Sequence, residues 1–248
     1  MTVAATDAAR NFKGSATEGR SERELEEIVS HAGAELELAP AEVIIEWSVA
    51  TFGDRFCVTS SMNDAVLLHL AAQVAPGIDV LFLDTGYHFA ETLGTRDAAA
   101  ATLPVTLRTV TPRHSVAEQD ATHGKDLFAR DPDLCCALRK VAPLEEALRD
   151  YDAWATGLRR QETHDRVIAP VIGWDERKRK VKVSPLARWS HAQVERYVAD
   201  NGILVNPLQR DGYASIGCGP CTRRIAPGDD LRSGRWSGRD KTECGIHA

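Results

Sequence analysis

Four of the six cysteines fall in two tight groups, the adjacent pair Cys135-Cys136 and the C-x-x-C run Cys218-Gly219-Pro220-Cys221, separated by about eighty residues. Two such groups suit a metal centre that joins distant parts of the chain. A zinc ion held by four cysteines usually draws them from two spaced pairs that bracket the ion, and consecutive cysteines do this poorly. A 4Fe-4S cluster presents separate iron corners, so neighbouring residues can each take a different one. The spacing favours an iron–sulfur cluster over zinc or a redox disulfide, and over four unconnected thiols. The other two cysteines differ from each other. Cys57 lies between Phe56 and Val58 in a β-prone run, where a cysteine acts as a small buried hydrophobe. Cys244 lies near the C-terminus in Lys241-Thr242-Glu243-Cys244-Gly245-Ile246-His247, an exposed setting in which Lys241 and His247 favour the thiolate. That setting suits a nucleophile that moves, with an incidental terminal cysteine as the alternative.

Basic residues recur beside these groups. Arg139-Lys140 follows the cysteine pair, Arg159-Arg160 follows a candidate strand, and Arg232 and Arg235 precede Cys244. Each alone reads as a solvated charge. Placed together at strand ends and beside cysteines, they indicate a small polyanionic ligand, because guanidinium forks match phosphate or sulfate oxygens. Ser60 and Ser61 open a strand-to-helix turn whose free backbone N–H groups and hydroxyls can hold phosphate oxygens. The turn lacks the Gly-rich and Lys elements of a Walker loop. Asp64 reads as a first-turn acidic residue facing the helix dipole.

The elements that position these residues follow from periodicity. Ser21 and Glu24 form a capping-box pattern ahead of Leu25, Ile28, Val29 and Ala32 at helical spacing. Pro40 opens a second helix bearing Val43, Ile44, Trp47 and Ala50, which ends near Gly53. Phe56-Cys57-Val58-Thr59 then reads as a strand and Ala65 to Leu70 as a helix. Further strands are expected at Val80 to Leu83, Val105 to Leu107 and Trp154 to Thr156, separated by helix-sized segments. Strands alternating with helices imply an α/β domain with a mostly parallel central sheet flanked by helices, and in such sheets ligands sit beyond the carboxyl ends of the strands. Val181-Lys182-Val183 reads as an edge strand. Ser190 and Gln193 open a helix stopped by Asn201-Gly202. From Asn206 the chain is irregular and rich in Gly, Pro, Arg and Cys.

The chain has 248 residues, 43% of them hydrophobic and 27% charged, enough to bury one substantial core. Its formal charge of -6 argues against a nucleic-acid coat or a polybasic membrane binder. No run approaches the roughly 18 apolar residues of a membrane span, and the first twenty residues lack the apolar core of a secretory signal. The expected setting is cytoplasmic, where six cysteines do not make a disulfide framework. The expected organisation is a disordered leader over 1–20, a nucleotide-binding domain with the metal site over 21–221, and a mobile tail over 222–248 carrying Cys244. No segment identifies a subunit interface.

From about Glu42 onward the chain resembles the assimilatory adenosine 5'-phosphosulfate (APS) reductases of bacteria, of actinobacterial type, within the wider phosphoadenylyl-sulfate reductase family. The resemblance lies in Leu83-Asp84-Thr85-Gly86-Tyr87-His88-Phe89, Cys135 to Val141, Thr156-Gly157-Leu158-Arg159-Arg160, Cys218 to Cys221 and Glu243 to His247. It implies an adenine-nucleotide α-hydrolase-like sheet, a 4Fe-4S cluster on Cys135, Cys136, Cys218 and Cys221, and Cys244 as nucleophile. It further implies that Ser60, Ser61, Leu83, Lys140, Gly157, Arg159, Arg160, Arg166, Arg232 and Arg235 line the nucleotide and phosphosulfate site or its loops. The first loop, Thr59 to Asp64, departs from the Ser-Gly-rich form of many relatives. The implied reaction is attack of the Cys244 thiolate on the sulfur of APS, giving AMP and an enzyme S-sulfocysteine, from which reduced thioredoxin releases sulfite. Competing readings are reduction of 3'-phosphorylated APS, which the two cysteine groups disfavour, and a non-catalytic redox sensor, which has little need of the tail thiol. A sulfur-transferring RNA-modifying enzyme is disfavoured by the acidic charge.

Overall fold

The computed structural model describes residues 19–239 and 241–247. The expected leader over 1–20 lies outside them apart from Gly19 and Arg20. The Arg20 backbone N–H and guanidinium both donate to Asp152, at 3.2 Å each, and Arg55 donates to the other oxygen of the same carboxylate at 2.8 Å.

Helix α1 (Glu22–Leu36) carries the complete Ser21–Glu24 capping box. Helix α2 (Ala41–Phe52) follows Pro40, which sits just outside the helix and so sacrifices no helical donor. The chain then alternates: β1 (Phe56–Ser60), α3 (Val66–Val74), β2 (Asp79–Leu83), α4 (Ala90–Thr102) and β3 (Thr106–Val110). Four short helices follow, α5 (Val116–His123), α6 (Leu127–Arg130), α7 (Pro132–Cys136) and α8 (Ala142–Ala147). The chain re-enters the sheet as β4 (Ala153–Thr156), makes the hairpin β5 (Ile172–Asp175) and β6 (Lys180–Val183), and ends its regular structure with α9 (His191–Asn201).

The six strands are ordered β3-β2-β1-β4-β6-β5, all pairs parallel except β5 with β6. The expected α/β architecture is therefore present, with one correction. Val181-Lys182-Val183 is not at the edge: β6 is paired on both sides, and the edge belongs to β5, which was not anticipated. The interior position matches the burial of Val181 and Val183. In β5, Gly173 breaks the short apolar run between Ile172 and Trp174, so the segment carries little strand signal.

Successive strand side chains point to opposite faces, which divides the core in two. Phe56, Val58, Val80, Phe82, Ala153, Ala155, Val181 and Val183 pack with the buried residues of α1, α2 and α3. Cys57, Leu81 and Trp154 pack on the other face with Leu144, Leu148 and Tyr151. Cys57 is fully buried there, as its surroundings in the sequence implied, and burial pushes its thiol well up. The strand order reverses between β1 and β4, so a crevice forms beyond their carboxyl ends. Among the described residues, no helix is long and apolar enough to cross a membrane.

Candidate active site

Three loops meet at that crevice, leaving β1 at Ser60, β2 at Leu83 and β4 at Thr156. In the first, the Ser60 hydroxyl accepts from the Met62 N–H at 3.1 Å, and Asp64 accepts from the Val66 N–H at the first residue of α3. Burial raises the Asp64 pKa. Asn63 ties the loop to the segment ahead of Cys218: its carbonyl accepts from Asn206 and Gln209, and its side-chain oxygen accepts from the Ile216 N–H at 2.9 Å. In the second loop, Asp84 accepts from the Gly86 N–H, and Gly86 has a φ of 74° beside the Arg139 guanidinium, a backbone conformation that strains any residue with a side chain. Leu83 shares its carbonyl oxygen with His88 Nε2 at 2.8 Å, and burial holds His88 below its usual pKa, in the neutral form.

The four paired cysteines come together. Cys135 and Cys136 end α7, and a π-helical turn, Ala137–Val141, follows and carries Lys140. Such turns are rare and cluster at functional sites because they rotate the residues after them. Cys218 and Cys221 flank a tight turn, Gly219–Cys221, fastened to the second loop by the Gly219 N–H donating to the Tyr87 carbonyl at 2.7 Å and by Thr85 Oγ1 lying 3.3 Å from Cys218 Sγ. Arg139 braces the same loop from below, its guanidinium donating to the Thr85 and His114 carbonyls and to Gln119. All four cysteines line one recess, together with Lys140 and Trp236.

The chemistry of this recess is that of a donor set awaiting a positive centre. Burial and repulsion from Cys218 and Cys221 push the Cys135 thiol up to about 11, and burial pushes Cys136 up to about 12. Burial alone would neutralise Lys140, but Cys218 and Cys244 outweigh it and hold the ammonium charged. Among the described residues, no three His, Cys, Asp or Glu side chains are grouped so that they could hold a metal ion. The four thiols line one recess instead, and an all-sulfur donor set of this kind fits an iron–sulfur cluster.

The tail folds back over this end of the sheet. Burial opposes the Cys244 thiolate, but the Lys140 ammonium, the Ile246 N–H and the Arg235 guanidinium outweigh it, and the thiol pKa is lowered. Glu243 holds the strap in place: Arg166 donates Nε to Oε1 at 2.6 Å and Nη2 to Oε2 at 2.7 Å, and Arg232 lies 3.5 Å from the same carboxylate. Arg166 also pairs with Glu162, which accepts from the Arg159 backbone and side chain. Alternating charges therefore run from Arg159 through Glu162, Arg166 and Glu243 to Arg232. Lys140 and Arg235 have no carboxylate partner among the described residues, and their charge faces the thiol.

Of the residues singled out in the sequence, Lys140, Arg166, Arg232 and Arg235 converge on Glu243 and Cys244, while Ser60, Ser61, Leu83 and Gly157 border the crevice. Arg160 points elsewhere: it pairs with Glu37 at the end of α1 at 2.7 Å and donates to the Ala169 carbonyl, which is a structural tie. In the tail, Glu243 meets Arg166, and the Ile246 and His247 carbonyls meet Lys178 and Lys182. Sequence reasoning missed Glu243 as the partner of two arginines, Thr85 beside Cys218, and Lys178 and Lys182 beneath the tail. The only signal of the two lysines in the sequence is a basic run around the β5–β6 turn, which reads equally well as solvated charge.

A family model described as phosphoadenosine phosphosulfate reductase domain matches residues 55–224. The chain is 61% identical over 230 residues to the adenosine 5'-phosphosulfate reductase of Streptomyces coelicolor, covering 93% of this chain and 98% of that protein. It is 55% identical to the enzyme of the same name from Mycolicibacterium smegmatis, covering 92% and 96%. Among solved structures, the phosphoadenylyl-sulfate reductase of Candida auris in its phosphate complex aligns with a TM-score of 0.69 at 29% identity, over 80% of this chain and 97% of that one. The FMN adenylyltransferase of Candida glabrata, at 12% identity and a TM-score of 0.51 over 96% and 81%, shares the fold alone.

Proposed function

Because the chain belongs to the phosphoadenosine phosphosulfate reductase family, in its actinobacterial APS reductase branch, we propose that it reduces APS to sulfite and AMP with electrons from a dithiol protein of the thioredoxin class. The family implies sulfate reduction. The finer reading is supported by one observation above the others: the Cys244 thiol is held toward its thiolate by Lys140, which also lines the four-cysteine recess, and by Arg235.

The Cys244 thiolate attacks the sulfur of APS. A bond forms between Sγ and the sulfonate sulfur, and the sulfur–oxygen bond to the phosphate breaks, its electron pair leaving on AMP. Substrate and nucleophile are both anionic, so cations must offset their repulsion and the charge that builds on the leaving phosphate. Lys140 and Arg235 are placed for this, with Arg166 and Arg232 able to exchange Glu243 for phosphate or sulfate oxygens of similar fork geometry. A thioredoxin thiolate then attacks Cys244 Sγ, sulfite departs with the bonding pair, and the second thioredoxin thiol resolves the mixed disulfide. Two electrons pass from the dithiol to the sulfur, and no further reductant is needed.

Cys135, Cys136, Cys218 and Cys221 would hold the 4Fe-4S cluster, which when bound supplies local electrostatics next to the substrate. Their meeting in one recess beside Lys140 supports that assignment. The setting is the reducing cytoplasm. The test is Cys244→Ser: the variant should retain iron and sulfide and bind APS, yet show no S-sulfo adduct by mass spectrometry. An adduct in that variant would place the nucleophile elsewhere, and faster turnover of 3'-phosphorylated APS would transfer the reading to that substrate.

A further inference from the structure

The sheet face that carries Trp154 is covered by α8 only over part of its width. Lys182 lies beside Trp154 on the neighbouring strand, in register with it, and the cover above this pair comes from the last residues of the chain. Ile246 packs against the cluster formed by Cys57, Leu81, Leu144, Leu148, Tyr151 and Trp154. The His247 ring lies parallel to the Trp154 indole, within 6° and with centroids 6.2 Å apart. Two ammonium groups flank the same indole, Lys178 at 5.3 Å and Lys182 at 5.7 Å from its centre. Each also donates to the tail backbone, Lys178 to the Ile246 carbonyl at 2.8 Å and Lys182 to the His247 carbonyl at 3.4 Å.

This arrangement is built into the fold. The Lys178 side chain is only 1% exposed and is fixed by Asp175, which accepts from its Nζ and from its backbone N–H, at 3.0 Å each. Its ammonium is therefore aimed before the tail arrives. The seat lies beyond the nucleophile in the chain, whereas the Glu243 contacts with Arg166 and Arg232 lie before it. Gly245, at φ 80°, makes the turn between the two anchors.

We infer that Trp154, Lys178 and Lys182 form a docking seat for Ile246 and His247, and that this seat positions Cys244. The inference rests on Cys244 as the nucleophile. A thiol tethered on one side sweeps a large volume, and a second tether within three residues confines it to a small one. That confinement is the source of a high effective concentration at the substrate sulfur. Lys178 and Lys182 are positioning residues: they touch the tail, not the substrate.

Lys178→Met would leave Asp175 buried without its partner and endanger folding, so the test uses the other members. In the cluster-loaded enzyme without substrate, the rate of Cys244 alkylation by iodoacetamide is read by mass spectrometry of the C-terminal peptide. The strongest cationic influences on the Cys244 thiol are Lys140 and Arg235, so removing Lys182 acts chiefly on position. Lys182→Met should raise the alkylation rate ~10-fold, the loss expected for one hydrogen bond to a charged donor, and the double variant Ile246→Ala, His247→Ala should raise it further. Lys182→Arg should restore the wild-type rate. Single-turnover formation of the S-sulfo adduct should fall in parallel while the KM for APS holds. Alkylation rates within twofold of wild type in the double variant, with an unchanged Tm, would overturn the seat. An adduct that forms in Cys244→Ser would instead overturn the nucleophile assignment, leaving alkylation to decide the seat.

Discussion

The clamp between Arg166 and Glu243 sets how firmly the tail stays closed, and Arg166→Met measures it. The pair makes two charge-assisted hydrogen bonds, and the side chains are only 9% and 15% exposed, so water screens it little. A hydrogen bond to a charged group is worth roughly 1.5–3 kcal/mol, and removing one partner of a buried pair strands the other. Arg232 remains at 3.5 Å to share the stranded carboxylate, which trims the loss. The expected cost to tail closure is about 2–3 kcal/mol, or ~30- to 150-fold in the fraction of open tail. Lys241 is the reporter. Its side chain is 7% exposed and paired with Asp133, so trypsin reaches the bond after it only when the tail lifts. Where opening is fast relative to cleavage, the clipping rate follows the open fraction. Release of residues 242–248, followed by mass spectrometry at fixed enzyme and protease, should accelerate by that factor. Glu243→Gln should accelerate it comparably, and the double variant should exceed the larger single effect only slightly, since both remove one interaction. Acceleration below threefold in Arg166→Met would refute the clamp. Additive effects of the two substitutions would refute the pairing.

Further outcomes follow from other parts of the site. Cys136→Ser should lose the visible absorption and bound iron of the cluster while the fold, read by circular dichroism, persists. Because the Cys244 pKa is lowered in the folded chain, its thiolate survives to lower pH than a free cysteine's, and attraction to Lys140 and Arg235 fades as pH falls through that lowered value. Alkylation of Cys244 against pH should therefore show a midpoint below 9.0, and Lys140→Met should move it upward. Asp152, 2% exposed in its side chain, holds both Arg20 and Arg55, so Asp152→Asn should cost about 2–4 kcal/mol in urea unfolding. An unchanged midpoint would show that this clamp adds nothing. Arg160→Ala, facing Glu37, should lower Tm and leave the KM for APS in place.

Much of the architecture could be read from local chemistry. The Ser21–Glu24 and Ser190–Gln193 boxes mark their helices because a hydroxyl and a carboxylate or amide three positions apart satisfy the terminal N–H groups in any context. The strands β1 to β4 stood out as apolar runs, and their alternation with helices implied parallel pairing. Strand β5 was hidden because Gly173 interrupts it, and β6 was read at the edge because Lys182 lies in it. That lysine reads as an edge charge until the structure shows the tail covering it.

The site divides in the same way. The sequence by itself offered the candidate groups: two cysteine pairs whose spacing favours a cluster over zinc, a solitary thiol in the tail, and enough local arginine to serve an anion in a chain of net charge -6. These are properties of residue type and of separations along the chain. Only the tertiary structure decided which charges act on which group. It gave Lys140 and Arg235 to Cys244, matched Arg166 and Arg232 to Glu243, diverted Arg160 to Glu37, and set Lys178 and Lys182 under the last residues. Electrostatic influence falls with distance through space and depends on burial, and neither quantity is written in the order of residues along the chain.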